Sequence, residues 1–511
     1  MQVATRHHVP TDFQASGGNT EGSPSLTIDD IPDEVLLEIF DSYRQLFTQG
    51  HHNDWNRRPK WFKLIHVCQR WRRIVFASST RLSLCLVVAN NNPGHMKAIF
   101  SPRIPPLPIA VDYHPRKPCS HYARSNAKDL GRVLAALKRC NRVRGITFSG
   151  TGPDFDKFFK ATKHRFPELK SLDLRNQLTR KPELTLPATF LKGSAPHLRH
   201  LILHFISFTS MSQLLSSPTA LIELSLGINI SYGPFPTTSL LAHLQCMRSL
   251  RRLELRTQRT PGFIDSTMPP TKPGDIVLLP RLTCFRYQGH SLFLATLVAG
   301  FAAPSLQGVH IVLSDNTDYL ISHFPRFIDN VEKLYHSAQV IFERDYFRIS
   351  LLTDSEPVDC VTPSFKFCSA RFPDSIMQMS AALSGKLAKV EELLIIFTTD
   401  SYPAWNVAIP WRSFLRQFHS VKILRVEHVH MVDIIHTILP DVEITADFLP
   451  MLEEIEIRTY SPESQPVSEL AATACHRFVV ACQEAGRSVK VSASLRAVFP
   501  EPRLRLSFKQ D

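Results

Sequence analysis

The feature that most constrains the fold of this chain is an apolar spacing that recurs along most of its length. The pattern is apolar-x-x-apolar-x-apolar, as at Leu169, Leu172 and Leu174. It occurs at ten places: 143–148, 169–174, 198–203, 221–226, 250–255, 282–287, 306–311, 390–395, 421–426 and 452–457. Its last two apolar positions lie two residues apart, which places them on one face of a β-strand. No single unit can bury its own apolar residues, so the pattern predicts stacked units with a shared core.

Successive units start about 23 to 32 residues apart, except for the interval between 306 and 390. This period and strand pattern resemble the leucine-rich repeat. The resemblance implies an α/β fold, an irregular solenoid with a curved parallel sheet and helices on its convex side. The asparagine typical of that family after the strand occurs only at Asn229, and the unit lengths are uneven. In the long interval, 347–351 and 365–367 are predicted as two degenerate units. A non-repeating α/β domain with coincidental leucine spacing is the open alternative.

Side chains between the buried leucines should share the opposite, concave face of such a sheet. This predicts a row rich in arginine and mixed in charge: Asp173, Arg175, His200, His204, Glu223, Arg252, Glu254, Arg256, Arg286, His310, Arg425, Glu427, Glu456 and Arg458. Such a row suits recognition of a protein surface. The residues chosen as target contacts are Arg175, His200, His204, Arg252, Glu254, Arg256, Arg286 and Arg425. A solvated sheet face would have the same composition, so this alternative also stays open.

Two short amphipathic segments near the N-terminus predict a helical docking module. In 31–40, Pro32 stands at the helix start, while Val35 with Ile39 and Leu36 with Phe40 lie four residues apart on shared faces. The second segment repeats apolar residues close to a 3.6-residue period, at Trp61, Leu64, Ile65, Cys68, Trp71 and Val75. Neither helix can bury its apolar face alone, so the two should pack together and on a partner.

These segments resemble the F-box domain, whose pattern begins Leu-Pro-x-Glu-hydrophobic-Leu and ends Val-Cys-x-x-Trp-Arg. The matching positions are Ile31, Pro32, Glu34, Val35, Leu36, Ile39, Phe40, Val67, Cys68, Trp71 and Arg72. A polar, basic insert at 41–60 departs from the usual linker and resembles a large fungal, basidiomycete-type family of F-box-like proteins. A helical hairpin that merely caps the next domain is the alternative.

The F-box resemblance implies docking to a Skp-family adaptor, and through it to a cullin–RING core. The residues assigned to adaptor binding are Ile31, Pro32, Leu36, Ile39, Phe40, Val67, Cys68 and Trp71. The expected organisation is a disordered lead at 1–25, an F-box at 26–80, a connecting segment at 81–142, repeats with a C-terminal cap at 143–495, and a tail at 496–511. Strands are expected around 82–88 and 107–111.

Composition narrows the class of protein. Ten scattered cysteines without a Cys-x-x-Cys pair indicate reduced thiols in a reducing compartment, the cytoplasm or nucleus. The polar first 25 residues lack a secretory signal, and the longest apolar run, 292–303, is too short to span a bilayer. The net charge of +13 includes seven Lys/Arg and no acid between Asn56 and Arg73. Without a nucleic-acid motif, this charge suits an acidic protein partner better than nucleic acid.

The sequence contains no phosphate loop, nucleophile elbow or His-Glu-x-x-His motif. Glu427, His428 and His430, with Asp433 and His436, form the tightest cluster of metal-ligand residue types, but an ordinary strand edge explains them better. We therefore expect no catalytic residues, no metal and no cofactor. The predicted function is the substrate-recognition subunit of an SCF-type ubiquitin ligase. The alternatives are an F-box scaffold that acts outside a ligase, and a nucleic-acid-binding repeat protein.

Overall fold

The computed structural model of the chain divides into two compact units, Met1–Cys85 and Leu86–Asp511. It describes residues 27–45, 61–89, 104–116, 123–177, 184–187, 190–193, 195–207, 214–215, 220–229, 237–258, 276–313, 324–329, 335–343, 346–352, 364–368, 372–397, 410–427, 449–459, 469–484 and 486–495. The predicted lead at 1–25, the tail at 496–511 and most of the insert at 41–60 lie outside these residues. So do His428, His430, Asp433 and His436 of the possible metal cluster.

The first unit is helical, with α1 at Asp33–Gln45, α2 at Trp61–Leu64 and α3 at Gln69–Ala77. Helix α1 begins directly after Pro32, whose carbonyl accepts the amides of Val35 and Leu36. Phe40 of α1 lies against Trp71 of α3, with ring centroids 4.7 Å apart. Leu36 and Phe40 are each only 1 % exposed, so this helical face forms the core of the unit.

The second amphipathic segment is two helices, not the single helix that its periodicity predicts. Cys68 has an extended backbone (φ −152°, ψ 173°), and its Sγ accepts a hydrogen bond from the Trp71 amide at 3.4 Å, which caps α3. Arg72 Nε donates to the carbonyl of Ile65 at 2.9 Å. In an uninterrupted helix this carbonyl would instead accept a backbone amide of the next turn. A polar contact between nearby residues therefore overrides the apolar period.

The second unit contains a long, mostly parallel sheet. Its strands follow in chain order: β1 Leu86–Ala89, β2 Ile109–Tyr113, β3 Val143–Gly150, β4 Ser171–Asn176, β5 His200–His204, β6 Glu223–Asn229, β7 Arg252–Gln258, β8 Val277–Leu278, β9 Cys284–Gly289, β10 Phe301–Ala302, β11 Gly308–Leu313, β12 Ser337–Glu343, β13 Tyr346–Leu352, β14 Ser364–Cys368, β15 Glu392–Phe397, β16 Ile423–Glu427, β17 Glu454–Thr459 and β18 Lys490–Leu495. The sixteen-stranded sheet has the order β1-β2-β3-β4-β5-β6-β7-β9-β11-β14-β13-β12-β15-β16-β17-β18, and β8 pairs with β10 separately.

The repeated apolar pattern sets the register of this sheet. Leu224 pairs with Leu201 on one side and Leu253 on the other, and Leu226 pairs with Leu203 and Leu255. All thirty apolar positions of the ten predicted units are buried. The stacked apolar core expected of leucine-rich repeats is therefore present, and the alternative of coincidental leucine spacing is wrong.

Helices cover the apolar face of the sheet. In this unit they are α4 Ala123–Leu137, α5 Gly152–Ala161, α6 Thr237–Gln245, α7 Ser291–Ala299, α8 Phe324–Asp329, α9 Phe372–Ala382, α10 Ser384–Leu387, α11 Trp411–Leu415 and α12 Glu469–Glu484, with 3₁₀ turns at Cys140–Arg142 and Phe190–Gly193. Phe148 of β3 stacks on Phe158 of α5 at 4.3 Å and meets Phe155 edge-on at 5.0 Å. Phe342 of β12 meets Trp411 of α11 at 5.4 Å.

The sheet departs from the sequence-based prediction in two places. It begins at Leu86 rather than at 143, because β1 and β2, which lie in the predicted connecting segment, pair in parallel with each other and with β3. In the long interval, β13 is antiparallel to both β12 and β14, so the two expected degenerate units are not two parallel repeats. The strands at 346–352 and 364–368 do form where the apolar alternation predicted them.

Among the described residues, no helix combines the length and apolar character needed to cross a membrane. That part of the chain also contains no group of three or more metal-ligating side chains.

Candidate functional site

One face of the sheet carries the polar side chains that lie between the buried leucines, and we call it the polar face. Residues in register form continuous rows across it, since the strands are paired without a break. The central row runs Asp112, Thr147, Asp173, Ile202, Ser225, Glu254, Arg286, His310, Ser364, Ser350, Gln339, Leu394, Arg425, Glu456 and Ser492. The residues predicted as target contacts all occupy this face, in the central row or one of its two neighbours.

Polar contacts within one strand and between adjacent strands join several of these side chains to carboxylates of the same face. Arg175 contacts Asp173 through two hydrogen bonds of 2.9 Å. Glu223 accepts from His200 Nδ1 at 3.1 Å and from Arg252 at 3.3 Å. Burial alone would raise the pKa of Glu223, but the His200 and Arg252 contacts outweigh it and leave that pKa below its ordinary value.

Towards the end of the sheet, Arg425 lies between two carboxylates, those of Glu392 and Glu456. Its Nε donates to Glu456 at 2.5 Å, and its Nη1 contacts Glu392. On β7, Glu254 binds Arg256 at 2.6 Å. These cations already have acidic partners within the sheet, so a partner protein would have to compete with those carboxylates for them.

His204 is a predicted target contact that the structure places out of reach. The ring is only 7 % exposed, and its Nε2 lies 3.1 Å from Ser225 Oγ. The neighbouring strand leaves room for it at Gly227, where a Cβ would lie 3.1 Å from the imidazole. Burial, together with the charges of Arg175 and Arg256, lowers the pKa of His204 from 6.5 to about 3. His204 is therefore a neutral part of the fold rather than a binding residue.

This pKa predicts a pH-dependent stability. Below pH 6.5 the unfolded imidazole binds a proton that the folded one excludes, so stability falls as the pH drops from about 6.5 towards 3. Between pH 7 and pH 5, His204 should cost about 2 kcal/mol of unfolding free energy. Urea unfolding followed by circular dichroism should show this loss in the wild type and not in His204→Gln. The exposed His164→Gln variant should keep the wild-type dependence, and equal slopes in all three proteins would contradict the assignment.

The helical unit presents a different surface, which includes large apolar side chains that are about half exposed. We call four of them the exposed apolar patch: Ile28 (53 % exposed), Val35 (47 %), Ile39 (47 %) and Val67 (57 %). Val35 and Ile39 lie one turn apart on α1, so they share a face. Exposed aliphatic residues that adjoin, as Val35 and Ile39 do, are typical of protein interaction sites.

The predicted adaptor residues divide into two groups. Leu36 and Phe40 are buried and Trp71 is half-buried against Phe40, so these three hold the helices together. The prediction that Leu36 and Phe40 contact an adaptor is not supported by their position. Pro32, Ile39, Val67 and Cys68 are exposed, and Ile31 is partly exposed. Cys68 is a capping residue rather than the packing residue that the F-box pattern suggests.

Sequence reasoning missed Arg70, which joins the start of α3 to the start of α1. Its guanidinium donates to the carbonyls of Asp29 at 2.8 Å and Ile31 at 2.5 Å and to the Asp33 carboxylate at 2.6 Å. These contacts bring the segment carrying Val67 to the segment carrying Ile28. In the sequence, Arg70 is one of seven cations in a basic stretch, and nothing local distinguishes it from the solvated ones.

No protein-family model matches this chain, and no curated protein matches it. Among solved structures, the chain is similar to the leucine-rich repeat-containing protein LegL7 from Legionella pneumophila, with 9 % sequence identity and a TM-score of 0.25. The alignment covers 77 % of this chain and 98 % of LegL7. The repeat architecture rests on the strand registers and buried leucines described above.

Proposed function

We propose that this chain is a non-enzymatic protein-binding subunit with two interaction surfaces. The exposed apolar patch docks the helical unit on a partner, and the polar face of the sheet binds a target protein. The proposal rests on one observation: the apolar side chains of the helical unit divide into a buried set and an exposed set. Leu36 and Phe40 fill its core, while Ile39 and Val67 are 47 % and 57 % exposed. A helical pair that only capped its own chain would have no use for such a surface.

The partner that best fits the helical unit is an acidic Skp-family adaptor, as the F-box resemblance implies. Val67 of the patch lies just before α3, whose first residues include basic side chains, exposed Arg73 among them. Apolar contacts would supply the affinity of such an interface, and opposite charges would orient the two proteins. Through the adaptor the chain would join a cullin–RING core in the cytoplasm or nucleus and act as the substrate-recognition subunit of an SCF-type ubiquitin ligase.

In this role the chain performs no chemistry. It would hold a target close to a ubiquitin-charged enzyme and so raise the effective concentration of the target there. The sheet suits this task because a continuous polar face across sixteen paired strands offers many positions for side-chain contacts. A second basic stretch, at 116–144, is partly used within the fold: Arg142 binds the Leu107 carbonyl at 2.7 Å and Arg132 binds Asp129 at 2.8 Å. We therefore favour a protein target over nucleic acid.

Two substitutions test the docking surface. Ile39→Asp and Val67→Asp each place a carboxylate where the proposal has apolar contact, and each should reduce recovery of a co-expressed Skp-family adaptor at least 100-fold, because an unpaired charge would be buried at the interface. Met451→Asp is the matched control, since Met451 is an equally exposed apolar residue (51 %) of the other unit. The circular dichroism of all three should equal that of the wild type, and undiminished adaptor recovery would refute the docking proposal.

The same co-purification separates the ligase role from a scaffold role. A ligase subunit should bring down a cullin and ubiquitin-modified partners together with the adaptor. Adaptor recovered without any cullin would instead support an F-box scaffold that acts outside a ligase. Failure of Ile39→Asp to lose the cullin along with the adaptor would show that the cullin is bound elsewhere on the chain.

A further inference from the structure

Four neighbouring strands in the middle of the sheet contain no acidic residue. They are β9, β11, β14 and β13, with the sequences Cys-Phe-Arg-Tyr-Gln-Gly, Gly-Val-His-Ile-Val-Leu, Ser-Phe-Lys-Phe-Cys and Tyr-Phe-Arg-Ile-Ser-Leu-Leu. Arg286 and Arg348 belong to the polar face of these strands by register. We call this part of the polar face the acid-free strip. Elsewhere on the face, the cations described above alternate with carboxylates.

Two arginines of the strip differ from the other arginines of the face. Arg286 and Arg348 are half-buried, and the Nε of each is buried without a hydrogen-bond partner. Arg175, Arg252, Arg256 and Arg425 all contact carboxylates. A buried guanidinium N–H without an acceptor is costly for a fold. The Nε itself is closed to solvent, but each side chain is only half-buried as a whole, so a carboxylate or phosphate would pair with its positive charge from outside.

The neighbours of Arg286 do not neutralise it. Glu254 is in register with Arg286, but its carboxylate binds Arg256 at 2.6 Å. The Cys284 thiol lies beside Arg286, and burial raises the pKa of this thiol, so it stays uncharged at neutral pH. The positive charge of Arg286 therefore remains available to a ligand from outside the fold.

We infer that the acid-free strip is the part of the polar face that binds a short acidic segment of the target protein. The inference rests on the proposed function, because it takes the polar face to be the target-binding surface. The strip spans three strand spacings, about 14 Å, which matches four or five residues of extended peptide. Its occupant would be an anionic peptide whose charge comes from aspartate and glutamate or from phosphoserine.

The acids on either side of the strip favour a peptide over nucleic acid. Glu254 and Glu223 lie beyond one edge, and Glu392 and Glu456 beyond the other. A polyanion that continued past the strip would meet these carboxylates, whereas a segment with only a few consecutive charges would not. The flanking acids also set the length of the charged segment that can bind.

Fluorescence polarisation with defined probes tests the inference on the full chain. The probes are fluorescein-labelled peptides of eight residues, with either four aspartates or two phosphoserines between glycines, and a labelled strand of ten thymidines. We expect at least one peptide to bind, and the double variant Arg286→Gln/Arg348→Gln to weaken it at least tenfold. The relative affinities of the two peptides distinguish carboxylate from phosphate as the source of charge.

The control removes the same charge elsewhere. Arg251 and Arg281 are exposed residues that precede β7 and β9, outside the acid-free strip. Arg251→Gln/Arg281→Gln should change the affinity less than twofold. If both double variants weaken binding equally, the peptide is responding only to the net charge of +13, and the inference fails. It also fails if neither peptide binds, or if the thymidine strand binds more tightly and depends on Arg286 and Arg348.

Folding and adaptor binding are checked in the same proteins. If the double variant loses its circular dichroism signal, Arg286→Lys replaces it, since lysine keeps the charge but cannot form the two parallel hydrogen bonds of a guanidinium. Arg286→Lys should then weaken peptide binding severalfold, and unchanged affinity would overturn the inference. Adaptor recovery should be the same in all these variants. A variant that loses peptide binding but still recovers the adaptor tests the acid-free strip alone. Failure to recover the adaptor, in contrast, would count against the docking proposal.

Discussion

Replacing Phe40 with alanine should unfold the helical unit while leaving the sheet intact. Phe40 is 1 % exposed and packs on Trp71, which makes it a principal contact between α1 and α3. Removing a buried phenylalanine side chain costs roughly 3 to 5 kcal/mol. Hydrogen exchange of the full chain should show at least a 100-fold loss of protection in Asp33–Gln45, with the strands of the sheet unchanged.

Ile39→Ala is the matched control for this experiment, because Ile39 is the next residue along the chain and 47 % exposed. Its effect on amide protection should be within about 0.5 kcal/mol, as for other surface substitutions. Both variants should lose adaptor binding, but for different reasons: Phe40→Ala through loss of the unit and Ile39→Ala through loss of contact area. Intact α1 protection in Phe40→Ala would show that the helices are held together by other contacts, such as those of Arg70.

Replacing Gly289 with alanine should destabilise the sheet by about 3 kcal/mol or more, since backbone strain and overpacking each cost roughly 1 to 3 kcal/mol. Gly289 ends β9 with φ +153°, a conformation that residues with a Cβ rarely adopt. An added Cβ would lie 1.7 Å from Thr257 Oγ1 and 2.8 Å from Tyr287 Oη. It would displace the hydrogen bonds that join Thr257 to Tyr287 and Tyr287 to the His290 carbonyl.

Gly131 offers the control for this substitution. It lies in α4 with no atom within 4 Å of a built Cβ, so Gly131→Ala should stabilise the chain by about 1 kcal/mol through helix propensity. The two glycine variants should therefore shift the urea midpoint in opposite directions. A midpoint for Gly289→Ala at or above that of the wild type would mean that β9 and β7 can move apart at this position.

The parts of the fold that could be predicted are those held by contacts that repeat at a regular spacing in the sequence. The leucine columns of β3 to β11 follow from spacing alone, because each strand repeats the same two-residue alternation in register with the next. The hydrogen bond from Arg72 to Ile65, which helps divide the second helical segment, has no periodic signature. Nor does the reversal of β13, since alternation predicts a strand without predicting its direction.

The candidate surfaces show the same division. Alternation was enough to place Arg175, Arg252 and Arg286 on one face of the sheet, but it could not show that the first two contact acids while Arg286 does not. On the helical unit, the pattern of Leu36, Ile39 and Phe40 identified an amphipathic helix. It could not determine which of the three side chains faces inward, because that depends on how α1 packs against α3.

The antiparallel strand β13 has a consequence for how the sheet assembles. Stacked repeats propagate order from each unit to its neighbour, and the usual step, as from residue 224 to 253, closes a short stretch of chain. This sequence of short steps is interrupted after β11. Its sheet neighbour is β14, although β12 and β13 come between them in the chain, so residue 310 must pair with the distant residue 364. The hairpin of β12 and β13 is local and can form first. The hairpin then offers two free edges: β14 pairs with β13 on one side, and β15 pairs with β12 on the other. The strands on the two sides can therefore be added separately.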